Sequence, residues 1–177
     1  MSDTPRSLAD LLSFVIIGGS KRIIAQVLRD ILVSLKPSRG SFSMGTASGT
    51  AIAVAGTYYK VAGTTTAGRL HNFTHANNRL TYTGTPDLNV DIFGSLSMTT
   101  AGTSDILGMK MAKGGVNIDE SIVLRKVGTG TDIGAAAIVG EATLSTGEYL
   151  ELFVTNTDDN QDVTIEECNI IVNGSLT

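Results

Sequence analysis

The sequence predicts a mainly β protein, an antiparallel sandwich or barrel carried behind a short α-helical arm. The hydrophobic period drops from about 3.6 residues to 2 near residue 40. Beyond that point short apolar-alternating segments are separated by Gly, Pro and Asn turn signals, with no helical pattern between them. The body is also rich in Thr, Gly, Ala and Val, and only 17% of the chain is charged, a composition that suits a pleated surface better than a helix.

At 177 residues the chain supplies one full-sized core and an appendage. The reading assigns residues 1–40 to a helical anchoring arm, 41–48 to a linker and 49–177 to the head domain. The arm carries a formal charge of +3 and the remainder −7, which points to two surfaces with different roles. An acidic body without Trp argues against nucleic acid, whose phosphates need clustered Lys and Arg. Cys168 is the sole cysteine, so no disulfide forms within the chain and folding in a reducing cytosol is expected. The apolar run 11–17 is too short to span a bilayer, so no membrane insertion is expected. Asp3 and Asp10 stand where a basic leader segment would be, so no signal peptide is expected either.

Ser7 is expected to cap a first short helix with Leu8, Leu11, Leu12 and Val15 on one face, which Gly18 and Gly19 would interrupt. Ser20 caps a second. There Ile23, Ile24, Val27, Leu28, Ile31, Leu32 and Leu35 keep the i, i+3, i+4 rhythm, and Lys21, Arg22, Gln26, Arg29, Asp30 and Lys36 take the other face until Pro37 and Gly40. Two helices this short bury little against each other, so the stripe needs a partner: neighbouring arms, another protein or the head. Residues 38–48, SRGSFSMGTAS, are small and polar and read as the joint.

In the head, strands are expected at 51–54, 58–61 and 80–83, then in a long run where Leu88, Val90, Ile92, Leu96 and Met98 alternate with mostly polar residues. Further strands are expected at 106–111, 118–127, 135–144, 148–155 and 163–172. Gly63, Gly84-Thr85-Pro86, Gly102, Gly114-Gly115, Gly128 to Gly130, Gly147 and the run 156–162 punctuate them. Eight to ten strands without a fixed-period repeat argue against a propeller or solenoid.

Two strands are apolar on both faces. Tyr149 and Phe153 oppose Leu150, Leu152 and Val154, and Ile122 and Leu124 oppose Val123 and Val127. The additional aromatic face suits a subunit interface, or a cover supplied by the arm or a loop.

No catalytic constellation is visible. His71 and His75 lack the company of other ligands, so no metal is assigned to them. Asp158, Asp159, Asn160 and Asp162 offer hard oxygens for calcium but lack the spacing of a dedicated loop, and a solvated hairpin is the simpler reading. The glycine-rich run 128–134 has no phosphate-binding spacing, and Cys168 reads as a buried structural thiol. No enzyme and no cofactor are expected.

The segments NRLTYTG at 78–84, MAKGGVNIDES at 111–121 and LSTGEYLELFVTN at 144–156 resemble the tumour-necrosis-factor-like jelly roll shared with complement globular heads, over about residues 49–175. The resemblance implies a ten-stranded antiparallel jelly-roll sandwich that assembles as a homotrimer, with aromatics of one sheet around the three-fold axis. Tyr149 and Phe153 match that position, and Tyr58 and Tyr59 are further candidates. Glu151 between them departs from an apolar axis. The arm, through QVLRDILVSL at 26–35, is similar to the N-terminal segment of tailed-bacteriophage fibre and surface proteins, although its Gly18-Gly19-Ser20-Lys21 hinge departs from that pattern. Together these imply a non-enzymatic virion protein, a head fibre, spike or decoration protein assembled in the host cytoplasm. Leu8, Leu11, Leu12, Ile24, Val27, Leu28, Ile31 and Leu35 would anchor it to capsid or other virion proteins. The alternatives are a receptor-binding tail-fibre tip, with a host surface receptor as partner, and a secreted trimeric ligand of the cytokine or complement type.

Overall fold

The computed structural model describes residues 26–31, 36–129 and 132–175. The chain divides into two units, Met1–Pro37 and Ser38–Thr177. In the first, residues 26–31 are helical, and Gln26 Nε2 donates to Asp30 Oδ1 at 2.8 Å one turn on. Val27 and Ile31 are half-buried and Leu28 is exposed. Leu8, Leu11, Leu12, Ile24 and Leu35 lie outside the described residues.

The second unit is built from β1 (Arg39–Met44), β2 (Ser48–Thr50), β3 (Tyr59–Lys60), β4 (Thr66–Ala67), β5 (Phe73–Ala76), β6 (Arg79–Tyr82) and β7 (Leu88–Thr100). After these come β8 (Ile106–Lys113), β9 (Val116–Asn117), β10 (Val123–Lys126), β11 (Gly134–Leu144), β12 (Tyr149–Asn156) and β13 (Val163–Ser175). They form two antiparallel sheets. The first runs β11-β7-β13-β1-β4 with β2 beside β13; the second runs β10-β8-β12-β6-β5 with β3 beside β12 and β9 beside β8. The fold is the antiparallel sandwich that the strand pattern predicts, in the jelly-roll form that the resemblance implies.

The core lies between the sheets. Each long strand sends alternate residues inward: Ile92 and Met98 from β7, Met109 and Met111 from β8, Leu150 and Val154 from β12, all at most barely exposed. A register shift in β13 between Ile165 and Glu167 resets the alternation. Ile165 and Cys168, three residues apart, therefore both face the core. Burial raises the Cys168 thiol to about 11, partly opposed by a backbone hydrogen bond at Met44. Native protein at pH 8 should therefore leave Cys168 unlabelled by a maleimide that reacts fully after denaturation; rapid native labelling would contradict this placement.

Of residues 41–48, expected to be a linker, 41–44 and Ser48 instead belong to the first sheet, and 45–47 join its strands β1 and β2. β1 pairs with β13 over six positions, from Arg39↔Asn173 to Met44↔Cys168, and β2 follows on β13. Its alternation is real but disguised by small residues: Phe42 and Met44 are core, and at Gly40 a Cβ would lie 3.0 Å from Phe73 Cγ and 3.2 Å from Leu80 Cδ1. A side chain there would force Phe73 and Leu80 to give way by a few tenths of an ångström, so glycine suits the close approach of β1 to the second sheet.

The strand expected at 51–54 is a turn region; the pairing ends at Thr50. The strand expected at 118–127 is shortened by a 3-10 helix at Asp119–Ser121, and only Val123–Lys126 pairs with β8. The short strands β4, β5 and β9 have weak alternation because they are brief. Two hairpin loops, Asn77-Asn78 and Gly114-Gly115, have both central residues at positive φ, as two-residue hairpins of the primed type require.

Candidate functional site: the outer faces of the two sheets

Outward residues of a sandwich are its means of meeting other molecules, and here the two sheets differ sharply. On the second sheet Tyr149, Glu151 and Phe153 of β12 share the outer side, as the alternation predicts, and Leu150, Leu152 and Val154 are core. This face is already occupied by the chain's own charges. Glu151 is 2% exposed, and its Oε1 lies 2.7 Å from both Lys60 Nζ and Arg79 Nε. The Arg79 guanidinium stacks 4.3 Å above the Tyr149 ring. Beside them Lys110, 4% exposed, places Nζ 3.8 Å over the Tyr58 ring and 3.5 Å from Asp119 Oδ1. Burial, and secondarily the charge of Asp119, raises the Tyr58 hydroxyl above its ordinary value. Glu151 thus has its partners within the chain. Tyr58 belongs to this face, whereas Tyr59 packs against the core opposite Val154, so it is not available as an outer-face aromatic.

A buried ammonium is costly even when paired, and Asp119 is well solvated. Lys110→Met should therefore leave the unfolding free energy from urea denaturation within about 1 kcal/mol of wild type or raise it. A loss of several kcal/mol would mean that Lys110 is needed for more than filling its site.

The exposed apolar residues Ile122, Leu124 and Val116 lie along the β9–β10 side of this sheet. His75 lies at the other end, on β5. Its Nε2 is 2.7 Å from Thr65 Oγ1, its ring is 5.8 Å from that of Phe42, and burial lowers its pKa below 6.5. A depressed value means that the neutral ring contributes stability above about pH 6.5, and that this is lost as pH falls through the folded-state value. Acid titration of the denaturation midpoint should show this loss, and His75→Gln should flatten it. His71 forms backbone hydrogen bonds with Arg39 in both directions, at 2.9 and 2.7 Å.

The acidic turn after β12 is closed on itself. Asp158 Oδ2 accepts from the Ile106 N–H at 2.8 Å, and Asp159 Oδ1 accepts from the Gln161 N–H at 2.8 Å and from Asn156 Nδ2 at 2.6 Å. Asn156 Nδ2 also donates to buried Asp105, which Thr100 Oγ1 reaches at 3.1 Å. These carboxylates orient backbone and side-chain donors. Among the described residues no three His, Cys, Asp or Glu side chains gather as a metal site. No helix among the described residues is long and apolar enough to cross a membrane.

The outer face of the first sheet is different. The register aligns Val139, Phe93, Ile171 and Ser41 in one row across β11, β7, β13 and β1. Val139 is 60% and Phe93 45% exposed, and Ile171 is half-buried. One flanking row is Ala137, Ser95, Asn169 and Ser43, all small or polar and uncharged. None of the ion pairs among the described residues lies on this face. An apolar row on a flat, small-residue surface is easily desolvated, which is what an interface core requires.

Sequence reasoning missed this row, although its signal was present. Phe93, Val139 and Ile171 each sit in the polar phase of an otherwise alternating strand.

These two sheets and their strand order define a tumour-necrosis-factor-like jelly roll. Among solved structures, the chain is similar to murine APRIL at pH 8.0, with 7% identity and a TM-score of 0.50, covering 77% of this chain and 99% of that one. Murine APRIL at pH 5.0 gives 7% identity and a TM-score of 0.47 over 77% and 98% of the two chains. Eiger TNF from S. frugiperda gives 9% and 0.46 over 79% and 93%. No protein-family model matches the chain, and no curated protein matches it.

Proposed function

We propose that this chain is a non-enzymatic, self-associating surface module, a homotrimer of jelly-roll heads each held to a particle by its N-terminal arm. The observation that carries the assembly is the Val139-Phe93-Ile171 row, exposed on a first-sheet face without ion pairs. It supports an interface on the sheet opposite Tyr149 and Phe153, whose surroundings are charged and paired within the chain. Three copies rather than two is the arrangement implied by the jelly-roll resemblance.

The resemblance of residues 26–35 to phage fibre and surface proteins supports a virion as the particle, with the arm docking on capsid or other virion proteins. Sedimentation of the full chain should give three times 18.5 kDa, and a monomer at micromolar concentration would sink the assembly. Particles produced with a variant lacking residues 1–37 should be undecorated; normal decoration would overturn the anchoring role. The trimeric-ligand reading shares the fold and predicts instead saturable binding of the full chain to cells.

A further inference from the structure

The second row flanking the apolar one crosses the same four strands in the order Glu141, Asp91, Asn173, Arg39. Its charges are segregated, with two carboxylates at the β11–β7 end and one guanidinium on β1. Strands about 4.8 Å apart separate Arg39 from Glu141 by about 14 Å of sheet. None of the three forms an ion pair within the described residues. Arg39 is half-buried, and its Nε is shielded from solvent without a hydrogen-bond partner, a costly condition for a charged donor. At the other end Asp91 and Glu141, with Asn89 and Thr143, line a cleft of about 520 Å³.

We propose that a second copy of this chain completes these charges, with Arg39 of one copy entering the Asp91-Glu141 cleft of the next. The inference rests on self-association through the first-sheet face and specifies its polarity. Superposing two such faces in parallel would set like charge on like charge. The face complements itself only when the β1 end of one copy meets the β11 end of another, a contact that a two-fold pair makes twice and a three-fold ring repeats at each interface. The apolar row would supply area, and the ion pair would set the direction and exclude the wrong approach.

The test is a charge reversal followed by a swap, read by sedimentation of the full chain with far-UV circular dichroism as the check on folding. Arg39→Glu should weaken association roughly a hundredfold, and Asp91→Arg with Glu141→Arg should do the same from other strands. The three substitutions together should restore assembly toward wild type. If both reversed variants fold and associate as tightly as wild type, or the folded triple variant associates no better than the reversed ones, the ion pair is refuted while the wild-type assembly stands. If the wild-type chain is itself monomeric, the assembly reading fails first. Should Arg39→Glu fail to fold, the Asp91→Arg and Glu141→Arg variant decides alone, since it leaves β1 unaltered.

Discussion

Replacing Phe93 by Asp should convert the assembled protein into single chains at micromolar concentration. The ring is 45% exposed in one copy, so the change costs the isolated head little. In the proposed assembly it would place an unpaired carboxylate in a desolvated apolar row of every copy. A central interface position of this kind is worth on the order of 2–4 kcal/mol or more per contact, or a thirty- to thousandfold loss of association. Leu124→Asp is the matched control, because Leu124 is 58% exposed on the second sheet. Its sedimentation should be unchanged. If Leu124→Asp dissociates the protein and Phe93→Asp does not, the interface belongs to the second sheet, beside Tyr149 and Phe153 as the motif resemblance implies.

Leu80→Ala should cost about 2–5 kcal/mol of unfolding free energy, a large share of the roughly 5–15 kcal/mol that a domain has. Leu80 is fully buried on β6, and its methyls lie against the backbone of Gly40 on the opposite sheet. Filling the same space from the other side, Gly40→Ala alone should destabilise by crowding Leu80 and Phe73. The double variant should lose less than the sum, because the new methyl enters the volume that Leu80 vacates. Strict additivity in urea denaturation would show that the two sites do not share that space. The contact also matters for the outer face, since β1 carries Arg39 and Ser41 on its other side.

Much of the sandwich is legible from alternation. In β7, β11 and β13 a period of two stands out, β8 and β12 are buried on both faces, and glycine turns mark several of the reversals between strands. The failures are short or disguised elements. β1 alternates Gly40, Phe42 and Met44 against Arg39, Ser41 and Ser43, so its inward face begins with a residue that has no side chain. Composition alone makes it look like a linker. β5 turns on Asn77-Asn78, whose side chains tolerate the positive φ that glycine usually provides.

The candidate site divides in the same way. That Tyr149 and Phe153 share a side of β12 follows from counting residues along one strand. Whether that side is free does not, because Lys60 and Arg79 reach Glu151 from distant parts of the chain. The same holds for the opposite face. Phe93, Val139 and Ile171 are three isolated breaks in three separate patterns until pairing lines them up.

Alternation, turn chemistry and charge are properties of neighbouring residues, and they were sufficient for the mainly β class and for most strands. Register, burial and the satisfaction of charge depend on residues brought together across the sheets, and local sequence carries almost no information about which strand lies beside which. Those long-range pairings assign the aromatics with their ion-paired neighbours to one sheet, the bare apolar row to the other, and a cation and two carboxylates to opposite ends of a single face.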